Sequence, residues 1–317
     1  MRWLVFLLAL CGSACFAQAE YPSRYVRFIV PYAPGGSSDV LARTLGQKLG
    51  ESLGQSFTVD NRPGAGSMIG TDLAAKSAPD GYTIILSDMP HTINPSIHAK
   101  VPYDPVNDFA PITIVGVSPM FLFANPSFEA RSIRELIALA KAQPGRLAIA
   151  SGGTGATTHL AAELLQARAG IRLTHVPYKG AGPAIADVVA GQVPLTFTSM
   201  ATAAPHVKSA RLRILGVTST QRLAAFPDVP TFEESGVPGM TLEHWWGVMA
   251  PGRTPRAIVE RLHRAIVDAL NAPDVRERFA ALAVEPRTDT PEEFRALLES
   301  DLRRWAEVVR NAGIKPE

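Results

Sequence analysis

Two stretches of this chain, more than a hundred residues apart, follow one plan: a short apolar run, a turn of small residues, then a helix opening. The first is Phe28-Ile29-Val30-Pro31-Tyr32-Ala33-Pro34-Gly35-Gly36-Ser37, and the second is Ala148-Ile149-Ala150-Ser151-Gly152-Gly153-Thr154-Gly155. Glycines let backbone approach a ligand closely, and the helix that follows presents unpaired N–H groups and its positive dipole end. One such unit makes a modest anion site, and two facing each other would clamp a carboxylate. Glycine-rich strand–helix turns are also common in α/β proteins generally. The recurrence in both halves is what favours binding.

The surrounding pattern is an alternation of strand and helix, which predicts an α/β fold with mostly parallel sheets. Val26–Tyr32, Phe57–Val59 and Thr83–Leu86 read as strands, and Leu41, Leu45, Leu49 and Leu53 mark one helix face between the first two. The plan repeats with strands at Leu147–Ala150, Leu173–Val176, Leu195–Thr198 and Leu212–Val217. A helix over His159–Ala169 carries Leu160, Leu164 and Leu165 as its expected buried stripe, and another runs through Val188 to a cap at Gly191. The last third reads as helical. Thr254-Pro255 looks like an N-cap and first helical residue before Ile258, Leu262, Ile266 and Leu270, and Thr290-Pro291-Glu292-Glu293 like a capping box.

Met1–Ala19 has the three parts of a secretory signal peptide: Arg2, the apolar Trp3–Cys11, and Ala17-Gln18-Ala19 as the cleavage site. The apolar run is about half of the ~20 residues that span a bilayer. Both cysteines, Cys11 and Cys15, fall in this leader, so the mature chain would hold no disulfide and no cysteine nucleophile. Lipidation at Cys15 would ordinarily want a leucine three residues earlier, where Gly12 stands. The mature chain is therefore expected to be soluble and exported. With 31 Lys+Arg against 29 Asp+Glu, the chain also lacks the concentrated positive charge of a nucleic-acid binder.

Other chemistry finds little support. Gly64-Ala65-Gly66-Ser67-Met68-Ile69-Gly70 is one residue too long for a dinucleotide fingerprint, and there is no phosphate loop or nucleophile elbow. His159 and Glu163 share a helix face and could touch a metal, although a surface pair is the simpler reading. A hydrolase using Ser37 or Ser151 with His159 is an alternative that lacks its motif. Trp245-Trp246 would either line a cleft or lock two domains together, and Tyr178-Lys179 could meet a carboxylate or simply be solvated.

The chain resembles the Bug/TctC family of periplasmic solute-binding proteins, the receptors of tripartite tricarboxylate transporters. The landmarks are Val30-Pro31-Tyr32-Ala33-Pro34-Gly35-Gly36 with Asp39, and Asp60-Asn61-Arg62-Pro63-Gly64-Ala65-Gly66. Further ones are Ala78-Pro79-Asp80-Gly81-Tyr82-Thr83, Tyr103-Asp104-Pro105 with Asp108-Phe109, and His175-Val176-Pro177-Tyr178-Lys179-Gly180. Pro227-Asp228-Val229-Pro230-Thr231 and Ala250-Pro251 complete the set. The resemblance implies a type II Venus-flytrap fold whose two lobes enclose a ligand cleft. Residues 20–114 and 245–317 would form lobe 1 and residues 115–244 lobe 2, with crossing strands near Thr113–Phe123 and Trp245–Met249.

It also implies a non-enzymatic receptor, monomeric and without cofactor or metal. Such a receptor captures a dicarboxylate, tricarboxylate, acidic amino acid or aromatic acid for membrane permease subunits, or alternatively presents the acid to a two-component sensor kinase. Carried onto this sequence, one side of the ligand would meet Tyr32, Ala33, Gly35, Gly36 and Ser37. The other would meet Ser151, Gly152, Thr154, Gly155, Thr158 and His159. Ser87, Asp88, Thr198 and Ser199 are candidates for the variable end. Asp88 could receive an ammonium group, or it could repel a second acid.

Overall fold

The computed structural model describes residues 21–311. The signal-peptide assignment, with both cysteines, lies outside the described residues. In chain order the elements are β1 (Val26–Val30), α1 (Ser37–Leu53), β2 (Phe57–Asn61), α2 (Met68–Ala75), β3 (Thr83–Asp88), α3 (Pro90–Ile97), β4 (Phe109–Pro119), β5 (Phe121–Ala124) and α4 (Ile133–Ala142). There follow β6 (Ala148–Ser151), α5 (Thr157–Ala169), β7 (Thr174–Pro177), α6 (Ala181–Val189), β8 (Leu195–Thr198), α7 (Met200–Lys208) and β9 (Arg213–Val217). The chain closes with β10 (Glu243–Pro251), α8 (Arg256–Asn271), α9 (Pro273–Ala281) and α10 (Pro291–Asn311).

Among the described residues these strands form two five-stranded sheets, ordered β2-β1-β3-β10-β4 and β7-β6-β8-β5-β9. In each sheet four strands run one way and one, β10 or β5, runs against them. Strand β1 is apolar on both faces because helices cover both sides; Val26, Phe28, Ile29 and Val30 are all 0% exposed. Helix α1 lays Leu41, Leu45 and Leu49 into the same core, each worth about 1.5–3 kcal/mol when fully buried. It stops at Gly54, whose left-handed φ of 69° lets its N–H reach Gly50 O.

Met120 is the single residue between β4 of one sheet and β5 of the other. Its N–H donates to Thr218 Oγ1 at 2.8 Å, and the same hydroxyl donates to Leu242 O at 2.7 Å. Leu242 directly precedes β10, so one buried threonine ties together both places where the chain passes between sheets.

Two local expectations change. The buried face of α5 is Thr157, Thr158, Ala161, Ala162 and Leu165, while Leu160 and Leu164 line a separate groove against Trp305 of α10. Small residues face inward because the helix sits close on β6 and β8. Helix α8 begins at Arg256 with Pro255 before it, and Thr254 Oγ1 bonds Pro251 O instead of capping the helix. The capping box at α10 forms as expected, with Glu293 N donating to Thr290 Oγ1 and Thr290 N to Glu293 Oε2.

Candidate ligand-binding site

The turn after β1 takes its shape from Asp39, one turn into α1. Its carboxylate accepts from Gly35 N at 3.1 Å and Asn61 Nδ2 at 3.0 Å, and pairs with Arg43 at 2.9 Å. Burial alone would raise this carboxyl, but the bonds from Arg43, Gly35 and Asn61 hold it below its ordinary value. Asn61 Nδ2 also donates to Tyr32 O, so β2 anchors the same turn.

The turn after β6 is braced from behind. Gly152 N donates to Thr158 Oγ1 at 2.8 Å, Gly153 N to Ser151 Oγ at 3.1 Å, and Gly155 N to His159 Nδ1 at 3.2 Å. Ser151 Oγ lies 2.5 Å from His175 Nε2, and the His175 ring stacks on His159 with centroids 4.0 Å apart. Burial, then the neighbouring His159, lower the His175 pKa to about 4, so that ring is neutral near pH 7. Ser151 is 0% exposed and its hydroxyl is spent on this brace. Ser151 is therefore no accessible nucleophile, whereas Ser37, the other serine of the hydrolase alternative, lines the cavity between the two turns.

Between the two turns lies a cavity of about 40 Å³. Of the residues singled out from sequence, it is lined by Tyr32, Gly36 and Ser37, by Asp88, by Gly152 and Thr158, and by Thr198 and Ser199. Ala33, Gly35, Ser87, Ser151, Thr154, Gly155 and His159 do not line it. Ser151, Gly155 and His159 build the turn, Ser87 pairs with Gly247 in the sheet, and Ala33 N donates to Lys179 O at 3.1 Å. That last bond joins the loop after β1 to the loop after β7. Beside it, Gly182 packs so tightly on Pro34 O that any β-carbon would collide.

Sequence reasoning missed Ser38, Met120, Ala156, Thr157, Ala181 and His244, all of which line the cavity, as does Trp246, one of the two tryptophans expected to line a cleft or lock two domains. The Trp-Trp pair divides its work. Trp245 points to α10, where its Nε1 donates to Asp301 Oδ2 at 2.9 Å, whereas Trp246 stands opposite Asp88 in the sheet register and faces the cavity. Alternation along β10 puts His244 on the Trp246 side, a signal available once β10 is taken as a strand.

The N-termini of α1, α5, α6 and α7 all reach this cavity through Ser37, Thr157, Ala181 and Ser199, and among the described residues no Arg or Lys lines it. Charge on a ligand would therefore be met by amides and helix dipoles. No cluster of His, Cys, Asp or Glu among the described residues could hold a metal ion.

The profile of the tripartite tricarboxylate transporter family receptor (TctC) matches residues 41–314. The chain belongs to this family. It is 42% identical to Protein BugT of Bordetella pertussis over 311 residues, covering 97% of this chain and 95% of that one. Its fold matches periplasmic binding protein BugD with TM-score 0.91 at 33% identity, covering 94% of this chain and 100% of the other. It also matches Rpa4515 of R. palustris, solved with adipate, with TM-score 0.90 at 32% identity and the same coverage. TctC proteins are non-enzymatic periplasmic binding proteins, and the two-sheet architecture of this chain is theirs.

Proposed function

We propose that this TctC protein is exported to the periplasm and captures a small organic acid there. It would hold a carboxylate between the turns after β1 and β6 and deliver it to transporter permease subunits. The observation that carries the reading is the convergence of helix N-termini on a buried cavity without a lining cation. Adipate on the related Rpa4515 supports the ligand class.

In this reading lobe 1 holds the first sheet with α8–α10, and lobe 2 holds the second sheet. Sheet membership supports crossings at Met120 and Leu242, a few residues from the boundaries read from sequence. Most residues that line the cavity are buried, and the loops on its two sides touch through Ala33 N and Lys179 O, so in this reading a ligand enters when the lobes part. Capture by a single protomer with hinge closure is part of this proposal.

The test is thermal unfolding of the mature chain across a panel of organic acids. A binding acid raises the melting temperature with concentration, by about 2.7 kcal/mol of stabilisation at a hundredfold excess over Kd. A panel in which no carboxylate does so refutes capture.

A further inference from the structure

Beyond the two glycine-rich turns, the cavity has a second set of polar groups: Asp88, Ser199, His244 and Trp246. Asp88 is 5% exposed; its Oδ1 accepts from Tyr32 OH at 2.8 Å and its Oδ2 lies 3.5 Å from His244 Nε2. Each carboxylate oxygen has two lone pairs, so acceptor capacity remains. His244 is occupied on its other side, with Nδ1 2.9 Å from Thr157 Oγ1. Among the described residues, the one basic side chain that lines the cavity, His244, thus lies against the Asp88 carboxylate, and no Arg or Lys stands beside the pair.

Two further groups want a partner. Ser199 Oγ and Trp246 Nε1 are buried with no hydrogen-bond partner among the described residues. Their residues are 2% and 0% exposed, and both line the cavity. Ser199 is the N-cap residue of the nine-residue α7, yet its hydroxyl makes no cap bond. Ser199, at the N-terminal end of α7, thus lines the same cavity as the indole of Trp246.

Each kind of ligand terminus can be weighed against these groups. A second carboxylate would suit Trp246, Ser199 and the α7 dipole but would sit beside Asp88 with no cation to offset it. An ammonium group would suit Asp88 but would face the positive end of α7 and leave the Trp246 N–H, which can only donate, unsatisfied. A methyl would leave all of them unpaired in a buried site. A neutral group that both donates and accepts satisfies Asp88 with its hydrogen and Trp246 or Ser199 with its oxygen.

We propose that Asp88, Ser199 and Trp246 form a specificity subsite for a neutral polar terminus, a hydroxyl or a carboxamide. The ligand is then a short monocarboxylate bearing such a group, not a dicarboxylate or an amino acid. This rests on the reading that the glycine-rich turns hold a carboxylate.

The experiment is calorimetric titration of the mature protein with short straight-chain acids. They are matched in length and differ only at the far end: hydroxyl, carboxamide, carboxylate, ammonium or methyl. The hydroxyl or carboxamide acid is expected to bind at least about tenfold tighter than the other three. Asp88→Asn, which keeps the side-chain size, is expected to remove most of the discrimination against the dicarboxylate. Ser199→Ala, which changes no charge, is expected to weaken the favoured acid more than the methyl-ended one.

A dicarboxylate or amino acid ranking first on the wild-type protein overturns the subsite, as does an unchanged ranking in both variants. Those results would leave carboxylate capture standing. Failure of every acid to bind removes the capture reading and the subsite with it.

Discussion

Gly182 shows how little room separates the two sides of the site, since a side chain there would run into Pro34 O. Gly182→Ala is therefore expected to hold the loops apart while leaving each sheet intact. The expected outcome is at least about tenfold weaker ligand binding by calorimetry, with a larger radius of gyration by small-angle scattering and an almost unchanged fold. Nothing in Gly180-Ala181-Gly182 alone distinguishes this contact from an ordinary turn. Its partner, Pro34, is remote in sequence, and only the fold brings the two together. Tyr32 and Asp88 were visible as candidates, but their mutual bond was not. Burial and then the Asp88 charge push the Tyr32 hydroxyl well above its usual pKa, so it remains a donor.

Among the elements, those with a strong local signal were legible. The four-residue leucine spacing marked α1, and the Thr290–Glu293 box marked the start of α10. Helix α7 was not, because Met200–Lys208 is short, has alanine at three of its nine positions and is interrupted by Pro205. Its end nonetheless supplies Ser199. Other elements act through a single residue, as Thr218 does where the chain passes between sheets. Thr218→Val removes two buried hydrogen bonds and strands Met120 N–H and Leu242 O. The expected loss is about 1–3 kcal/mol per orphaned group, read as a lower urea midpoint, and Thr218→Ser is expected to recover most of it. Thr218 drew no notice in the sequence because a threonine at a strand end usually does no such work.

For the molecule as a whole, a buried histidine, His91, and a half-buried one, His175, set a response to acid. Burial lowers the His91 pKa from 6.5 to about 4, despite its bond to Pro105 O, and lowers His175 similarly. Between those values the unfolded chain binds more protons than the folded one, so stability falls as pH drops through that window. Each histidine's share is fully present above 6.5 and levels off below about 4. For the 1% exposed His91 the share is roughly 3 kcal/mol. Urea unfolding at successive pH values is expected to show this decline, and His91→Phe to flatten it.

The α/β class was legible because strand and helix periods alternate, whereas the division into two lobes came from the family resemblance. Which side chains meet in the cavity was not legible, since the site draws on strands and helix ends from both halves of the chain.

The helix ends that line the cavity also decide how a ligand is won from solution. Their partial charges are fixed, enclosed and aimed inward, so dissolved ions have little to screen, and ionic strength should scarcely alter affinity. With a formal net charge of only +2, the surface draws acids in weakly from a distance. Encounters then proceed at ordinary diffusive rates, and tight capture must come from slow departure rather than fast arrival.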